Sequence, residues 1–461
     1  MTSSSLPPGP MLSSPSGPWW KGLNRYHWFV LIVAALGWLF DCLDQQLFNL
    51  ARKPALDELI GGPDVAAGVV TASGYYVTGI FLLGWGTGGL VFGALGDRIG
   101  RAKVMIWTIL IYSLCTGLSA LSQSYWDFAL YRFLTGLGVG GEFAVGVALV
   151  AEVMPDRSRA GALGLLQGLS ALGNVAAAII GLSLSQLEES GAIGSAWRWM
   201  FVVGTLPALL AVVIRMRLKE PQRWLEARAR QRSGDLRFGS YASLFADPRW
   251  RRNALVGLGL ASAGIIGLWG IGVFSTDLIR AVLSNTLEGQ GLSDAEFKGK
   301  LTFWTSANLF MFNAGAFLGI LAFSRITRSI GRRRAFAIAF VLALVSTLVV
   351  FRYLSSAHQI FWLVPIMGFC QLSLFGGYAI YFPELFPTRL RSTGTAFCYN
   401  AGRFVAAAGA FVQGAYAASL AQNTVDTLRH VGMAASAIFL LGLLVLPFAP
   451  ETKDQPLPED L

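Results

Sequence analysis

The segment Glu152-Val153-Met154-Pro155-Asp156-Arg157-Ser158-Arg159 returns in related form as Glu384-Leu385-Phe386-Pro387-Thr388-Arg389-Leu390-Arg391. One glutamate, one proline and two arginines keep their offsets, and the two copies lie half a chain length apart. A second match, Ile99-Gly100-Arg101 with Ile330-Gly331-Arg332, has nearly the same separation. Two independent matches at nearly the same period indicate that the chain consists of two related halves.

Long apolar segments occur throughout both halves. The chain has 461 residues, of which 54% are hydrophobic and 13% are charged, and its mean hydropathy is +0.55. A soluble core could not bury so many apolar residues, so lipid must surround the chain. A bilayer core needs about 20 apolar residues per helix. We therefore predict an all-α membrane protein with two six-helix bundles, whose twelve spanning helices occupy residues 27–50, 69–95, 102–122, 126–152, 159–187, 195–215, 253–282, 301–324, 333–353, 358–382, 390–420 and 428–449.

The positive charge, +10 overall, is unevenly distributed along the chain. Placing the N-terminus inside puts most lysines and arginines in cytoplasmic segments, as the positive-inside rule requires, so we predict that both termini are cytoplasmic. The densest basic stretch surrounds Trp224, which suits an interfacial helix on an anionic leaflet better than a nucleic-acid site. The predicted parts are a disordered cytoplasmic tail over 1–26, a first bundle over 27–215, a basic cytoplasmic linker over 216–252, a second bundle over 253–449 and a C-terminal tail over 450–461.

The sequence offers little support for catalysis. Cys42, Cys115, Cys370 and Cys398 fall inside apolar segments, without the spacing of a disulfide framework or a metal site. No nucleophile and base are arranged as an enzyme would need them. We expect no cofactor, no metal and no enzymatic activity, and a monomer in the lipid bilayer whose other partners are a small-molecule substrate and protons.

Two glycine-rich segments carry a resemblance to a known family. Gly93-Ala94-Leu95-Gly96-Asp97-Arg98-Ile99-Gly100-Arg101 is similar to the loop between the second and third helices of the major facilitator superfamily. Arg132-Phe133-Leu134-Thr135-Gly136-Leu137-Gly138-Val139-Gly140-Gly141 is similar to its fourth-helix signature. The resemblance covers about residues 27–450 and implies a multi-pass transporter of the cell (plasma) membrane with a solute site between the halves.

Three further segments resemble a narrower group within that superfamily. Asp41-Cys42-Leu43-Asp44 is similar to the D-x-x-D of aromatic acid:proton symporters, although that family usually has glycine where this chain has Cys42. Pro383-Glu384-Leu385-Phe386-Pro387-Thr388-Arg389-Leu390-Arg391 and Cys398-Tyr399-Asn400-Ala401-Gly402-Arg403 are similar to segments shared by that family, other organic-acid symporters and synaptic-vesicle-like members. The resemblance implies proton coupling through a first-helix aspartate and a fourth-helix arginine.

Four charged residues inside predicted helices are the proton-coupling candidates. Each costs at least ~2.5 kcal/mol to insert, so it needs a partner or a function. Asp44 and Arg132 have similar predicted depths, so they could form either a proton switch or a static ion pair. Asp41 shares a helix face with Asp44, where two carboxylates cannot both ionise cheaply. The sequence leaves open which of the two is coupled to transport, and the depth match with Arg132 favours Asp44. Glu142, nearer the midplane, is either a second proton carrier or a structural acid.

Arg403 is the candidate for binding an anionic substrate, because it is predicted near the midplane, where its planar guanidinium could bind a carboxylate. The alternative is that it neutralises Glu142 or another buried acid. The neighbouring polar candidates, each of which could instead bridge or pack helices, are Asn400, Gln371, Asn313 and Tyr399.

A separate group of charges at the cytoplasmic side is predicted to gate the inner face. Asp97 is suited to face the positive N-terminus of the eleventh helix, near Thr388 to Arg391. The second copy of its loop has Arg328 in the corresponding place. The predicted gating residues are Asp97, Arg101, Glu152, Arg159, Glu384 and Arg391.

These observations predict a secondary active transporter that moves a small organic, possibly aromatic, acid with protons by alternating access. One alternative is a sugar or polyol carrier of the same fold. Another is a membrane sensor that binds a solute without transporting it.

Overall fold

In a computed structural model, the chain is described over residues 18–61, 65, 67–207, 213–214, 217–231, 237–268, 272–288, 293–416 and 425–459. Within those ranges the regular structure is entirely helical, as predicted. Of the predicted N-terminal tail, the part before residue 18 lies outside the described chain. The part that follows is packed, since Trp19 lies against Gly161 and its carbonyl accepts a hydrogen bond from Ser158 Oγ at 2.6 Å.

Seven helices are described in the first half. Asn24 caps the first of them through its side chain, which accepts a hydrogen bond from the His27 backbone N–H, and Ser124 caps the fourth in the same way. The seven helices are α1 (Arg25–Ile60), α2 (Ala67–Ile99), α3 (Arg101–Ser119), α4 (Tyr125–Val153), α5 (Asp156–Gly168), α6 (Ser170–Glu189) and α7 (Ala196–Val203).

Eleven further α-helices are described in the linker and the second half. They are α8 (Gln222–Gln231), α9 (Tyr241–Ala246), α10 (Pro248–Ile266), α11 (Gly272–Glu288), α12 (Asp294–Ile330), α13 (Arg332–Tyr353), α14 (Ile360–Glu384), α15 (Arg391–Asn400), α16 (Gly402–Ala415), α17 (Val425–Ala435) and α18 (Ile438–Val445).

Nine helical segments among the described residues are long and apolar enough to cross a membrane, with α5–α6 and α17–α18 each counted as one segment. The three other predicted spans, 195–215, 253–282 and 390–420, each include residues outside the described ranges. The count of twelve therefore stays a prediction.

The halves meet through a repeated contact. Helix α2 of the first half packs on α15 of the second, and α12 of the second packs on α5 of the first. The shift along the chain that carries Gly100 onto Gly331 also carries the end of α2 onto the end of α12, and α5 onto α15. The sequence repeat is thus also a repeat in the packing between halves.

The linker helix α8 packs against the end of α2 in the first half. Trp224, predicted to lie in the membrane interface, is buried instead and donates a hydrogen bond from Nε1 to the Asp97 carbonyl at 2.8 Å. Its ring also lies under the Arg101 guanidinium. The interfacial prediction for Trp224 is wrong because the end of α2 offers both an apolar surface and an acceptor for the indole N–H.

Candidate functional site

An aromatic cluster occupies the centre of the molecule between the halves. The Phe143 ring on α4 lies 4.4 Å from Trp38 on α1 and 4.1 Å from Tyr399 on α15, measured between centroids. The indole N–H of Trp38 is buried and has no hydrogen-bond partner among the described residues. The cluster therefore combines apolar ring faces with an unused donor.

Arg403, in the first turn of α16, lies beside this cluster and is 2% exposed. Its guanidinium carbon is 3.6 Å from the Trp85 ring centroid and 5.0 Å from that of Tyr399. Its Nε donates to Asn400 Oδ1 at 3.2 Å. No carboxylate within the described chain forms an ion pair with Arg403, so it does not neutralise Glu142. It is a buried cation held by rings and an amide.

The amide candidates separate into two groups. Asn400 lies at the centre, where it orients Arg403 and donates to the Gly140 carbonyl of the first half at 3.4 Å. Asn313 also lies between the halves and accepts a hydrogen bond from Asn174 at 2.8 Å. Gln371 forms the second group, because its amide nitrogen donates a hydrogen bond to Thr347 Oγ1 inside the second half at 2.8 Å.

Asp41 and Glu142 form a buried acid pair close to the aromatic cluster. The two carboxyl groups interact directly, and both are about 1% exposed. None of their four carboxyl oxygens has a hydrogen-bond partner among the described residues. The Glu142 carboxyl lies against Gly37, where a side chain on α1 would displace it. Two adjacent carboxyl groups without a cation cannot both be ionised at low cost.

Asp44 is in a different environment, although it is only one helical turn from Asp41. Its Oδ2 lies 3.6 Å from Arg132 Nη1, and its Oδ1 accepts a hydrogen bond from Thr116 at 2.7 Å. Arg132 also donates to Ser119 Oγ at 2.8 Å. Asp44 and Arg132 thus form the pair that their depths predict, and both charges in it are compensated.

Asp97 makes the contact with α15 that the sequence predicts. Its carboxylate accepts hydrogen bonds from the backbone N–H groups of Ser392 at 3.1 Å and Thr393 at 2.8 Å, and from Thr393 Oγ1 at 2.6 Å. Arg101 adds an ion pair at 2.9 Å. A carboxylate at the positive end of a helix thus joins the two halves.

Glu152 is the centre of the charged network. Its Oε1 lies 2.9 Å from Arg101 Nη2 and 2.8 Å from Arg391 Nη1 of the other half. Glu384 pairs instead with Arg332 within its own half, at 2.8 Å. Arg159 pairs locally with Asp156. The Glu152–Arg391 pair therefore connects the first copy of the repeated motif, in the first half, to the second copy, in the second half.

Two glutamates that the sequence analysis missed complete this network. Glu220 accepts the backbone N–H of Arg101 at 2.7 Å, and Glu451 accepts that of Arg332 at 2.9 Å. Each carboxylate caps the helix that follows the loop motif of its own half. A signal for them existed, because the two glutamates have the same separation along the chain as the two arginines that they cap. Trp85, which stacks on Arg403, had no comparable signal.

Two related helical halves, with a buried cation between them and a buried acid pair within the first half, are the arrangement of a membrane transport protein. The chain belongs to the Major Facilitator Superfamily, whose sequence profile matches residues 28–409. It is a multi-pass transporter of the cell membrane and not an enzyme. The resemblance noted from the sequence motifs is confirmed.

Relatives cover most of the chain. It is 28% identical over 380 residues to the cis,cis-muconate transport protein of Acinetobacter baylyi, covering 81% of this chain and 84% of that protein. It is 28% identical over 388 residues to the sialic acid transporter NanX of Escherichia coli, covering 83% and 86%. A solved structure of the proton:xylose symporter XylE has a TM-score of 0.69 at 16% identity, covering 94% of this chain and 98% of that one. That likeness shows the fold alone.

Proposed function

We propose that this protein carries small carboxylic acids together with protons by alternating access, through twelve spanning helices with both termini in the cytoplasm. The observation that carries the proposal is Arg403, a buried cation between the halves that has no carboxylate partner in the described part of the chain. An unpaired buried charge is costly unless a ligand compensates it. A substrate carboxylate is the simplest such ligand.

The surroundings of Arg403 favour an organic acid with an unsaturated or ring-shaped body. Asn400 fixes the guanidinium through Nε, which leaves its terminal N–H groups as the donors for a carboxylate. The stacked rings of Phe143 and Tyr399 offer flat apolar surfaces next to it. Relatives named for cis,cis-muconate and for sialic acid transport, both of them carboxylic acids, support this substrate class.

For the proton, the geometry favours Asp41 and Glu142 over Asp44. The Arg132 cation and the Thr116 hydroxyl favour the ionised form of Asp44, and Asp41 and Glu142 lack such partners among the described residues, so Asp44 is the weaker candidate of the three. The Asp41–Glu142 pair has no cation partner among the described residues, so it can exchange one shared proton at moderate cost. Asp44 and Arg132 then act as the ion pair that positions α1 against α4.

We propose that the inner gate consists of the contact of Asp97 with α15 and the ion pair of Glu152 with Arg391. These contacts join the two halves at the end of the bundle that carries the charged loops. Arg101 supports both acids. Opening of that end requires the Asp97 contact with α15 and the Glu152–Arg391 pair to separate together.

Uptake into proteoliposomes tests the substrate and the coupling. Radiolabelled benzoate, cis,cis-muconate, sialate and xylose are offered with and without an inward proton gradient. We expect uptake of at least one carboxylate, stimulated by the gradient, and none of xylose. Xylose uptake without carboxylate uptake would favour the sugar carrier, and binding without any flux would favour the sensor.

Variants separate the two roles. Arg403→Lys keeps the charge but loses the planar fork, so we expect the carboxylate KM to rise about tenfold or more. Glu142→Gln should abolish gradient-driven accumulation while exchange of internal for external substrate continues. Asp57→Asn, at a partly exposed position on α1, is the matched control and should change neither. Full accumulation by Glu142→Gln and by Asp41→Asn would refute the proton site.

A further inference from the structure

A groove lies on the outside of the second half, at the end of the bundle that carries the charged loops. It has a volume of about 580 Å³ and runs between the junction of α12 with α13 and the end of α18. Its walls are of two kinds. One is apolar, with Ala337, Leu443 and Leu446, and the other is basic, with Arg333, Arg334 and Lys453.

We propose that this groove binds the headgroup of an anionic phospholipid. The position fits, because the span Arg332–Tyr353 begins and the span Val425–Phe448 ends at the groove. The groove therefore lies at the level where headgroups meet acyl chains. Leu444, near the end of α18, and Phe448, in the turn that follows it, are 71% and 61% exposed and continue an apolar surface beside the groove. An acyl chain can follow that surface while the phosphate meets the basic wall.

The charges in the groove are complementary to an anion. Arg334 is exposed and forms no ion pair or hydrogen bond with the described residues. Arg333 donates from Nη2 to the Pro447 carbonyl, and Lys453 from Nζ to the Ser329 carbonyl, so both keep further donors. Lys453 also lies 3.6 Å from the exposed Asp454. The one acid that lines the groove, Glu451, already accepts the backbone N–H groups of Arg332, Arg333 and Lys453.

The first half shows that the fold does not require two of the three cations. The repeat that relates Arg101 to Arg332 places Ala102 where the second half has Arg333, and Gln222 where it has Lys453, whereas Lys103 corresponds to Arg334. The capping glutamate is present in both halves, so the capped turn forms without Arg333 and Lys453. In the first half, α8 also starts at the position of Gln222 and packs back over the end of α2. The grouping of three cations around the capped turn is thus specific to the second half.

Native mass spectrometry of the purified full-length transporter in mixed phosphatidylcholine and phosphatidylglycerol micelles tests the proposal. We expect the wild type to retain phosphatidylglycerol in preference to phosphatidylcholine. The Arg333→Gln/Arg334→Gln/Lys453→Gln variant should lose that preference, and Arg334→Gln alone should weaken it about fivefold, because one basic residue contributes on that order near an anionic surface.

The matched control is Lys103→Gln/Lys219→Gln/Arg251→Gln, which removes three exposed cations from the same end of the bundle outside the groove. It should retain phosphatidylglycerol like the wild type. Equal loss in the control, equal retention by the groove variants, or displacement of the lipid by millimolar inorganic phosphate would each overturn the proposal. If the triple variant does not fold, Arg334→Gln decides, since its exposed side chain forms no ion pair or hydrogen bond with the described residues.

Discussion

At the residue scale, two aspartates one turn apart on α1 have opposite electrostatic environments. Asp44 faces the Arg132 guanidinium at 3.6 Å, whereas Asp41 faces the carboxyl group of Glu142. Both are almost fully buried. Burial magnifies the energy of every charge pair. Removing the charge of Asp44 therefore leaves a buried cation without its partner, whereas removing the acid of Glu142 leaves no opposite charge unpaired.

This difference predicts opposite effects on stability. Asp44→Asn leaves Arg132 as an uncompensated buried cation, so we expect a loss of about 3–5 kcal/mol and a lower unfolding midpoint in detergent. Glu142→Gln removes one acid from a pair that has no cation partner among the described residues, so no opposite charge loses its partner and the midpoint should stay unchanged or rise. Replacing both partners, as in Asp44→Asn/Arg132→Met, should restore part of the loss. A midpoint lowered equally by Asp44→Asn and Glu142→Gln would contradict this account.

Gly37 supplies a second test at this scale. A methyl group there would collide with the Glu142 carboxyl, and relieving such overpacking typically costs about 1–3 kcal/mol. We expect Gly37→Ala to impair gradient-driven accumulation more than substrate exchange. Gly146→Ala on α4 is the control, because the nearest atom there, Met105 Cε, is 3.9 Å from the added carbon. Equal behaviour of the two variants would argue against a role for the Glu142 position.

At the scale of single elements, the two halves use the same device to start a helix after a tight turn. Gly100 and Gly331 have φ values of +119° and +90°, which disfavour a side chain at both positions. Helices α3 and α13 follow directly and are capped by Glu220 and Glu451 from distant parts of the chain. These caps attach the linker to the first half and the C-terminal segment to the second.

The Glu451 cap predicts a dependence on pH. Burial raises the pKa of Glu451, but hydrogen bonds from three backbone N–H groups outweigh it and leave the pKa below its usual value. A depressed pKa in the folded state means that the cap is fully formed above about pH 4.5 and is lost as the pH falls through the lower folded value. Amide hydrogen exchange at Arg332 and Arg333 should therefore lose protection below that pH.

The control for this prediction is Glu451→Gln, which cannot titrate. Its protection at Arg332 and Arg333 should be lower throughout and should show no additional loss in acid once the intrinsic exchange rate is subtracted. Protection that falls in acid to the same extent in both proteins would rule out Glu451 as the titrating group.

At the scale of the whole molecule, the charged end of the bundle is where polar contacts join the two halves. Asp97 binds α15, and Glu152 binds Arg391, so each half supplies groups that the other needs. A buried ion pair broken by removing one partner leaves the other uncompensated. Weakening these contacts should therefore shift the population toward the inward-open state rather than only loosen one helix.

Spin labels at Lys103 and Arg334 would report that shift, because both are exposed and occupy corresponding positions in the two halves. On a background with the four cysteines replaced by alanine, we expect Asp97→Asn and Glu152→Gln to move the distance distribution to longer values. Asp127→Asn, at the opposite end of the bundle, should leave it unchanged. An unaltered distribution in both gate variants would disprove the assignment of the inner gate.

Much of the architecture follows from the sequence alone, because it depends on properties that are written along one dimension. Apolar length locates the spans, and the shared separation of the repeated Ile-Gly-Arg and Glu-x-x-Pro motifs relates the halves. The contact of Asp97 with α15 was also predictable, since a carboxylate in one loop and the start of a helix in another leave few alternatives.

Only the tertiary structure decided which side chains the buried charged residues contact. Asp41 with Glu142, Arg403 with Trp85, and Glu152 with Arg391 each join residues on helices that are far apart along the chain. At 3.6 residues per turn, each residue is rotated by about 100° from its neighbour, so depth along a helix does not reveal the side it faces. Helix rotation and packing therefore determined which two acids lie together without a cation, and which buried arginine has no carboxylate partner among the described residues.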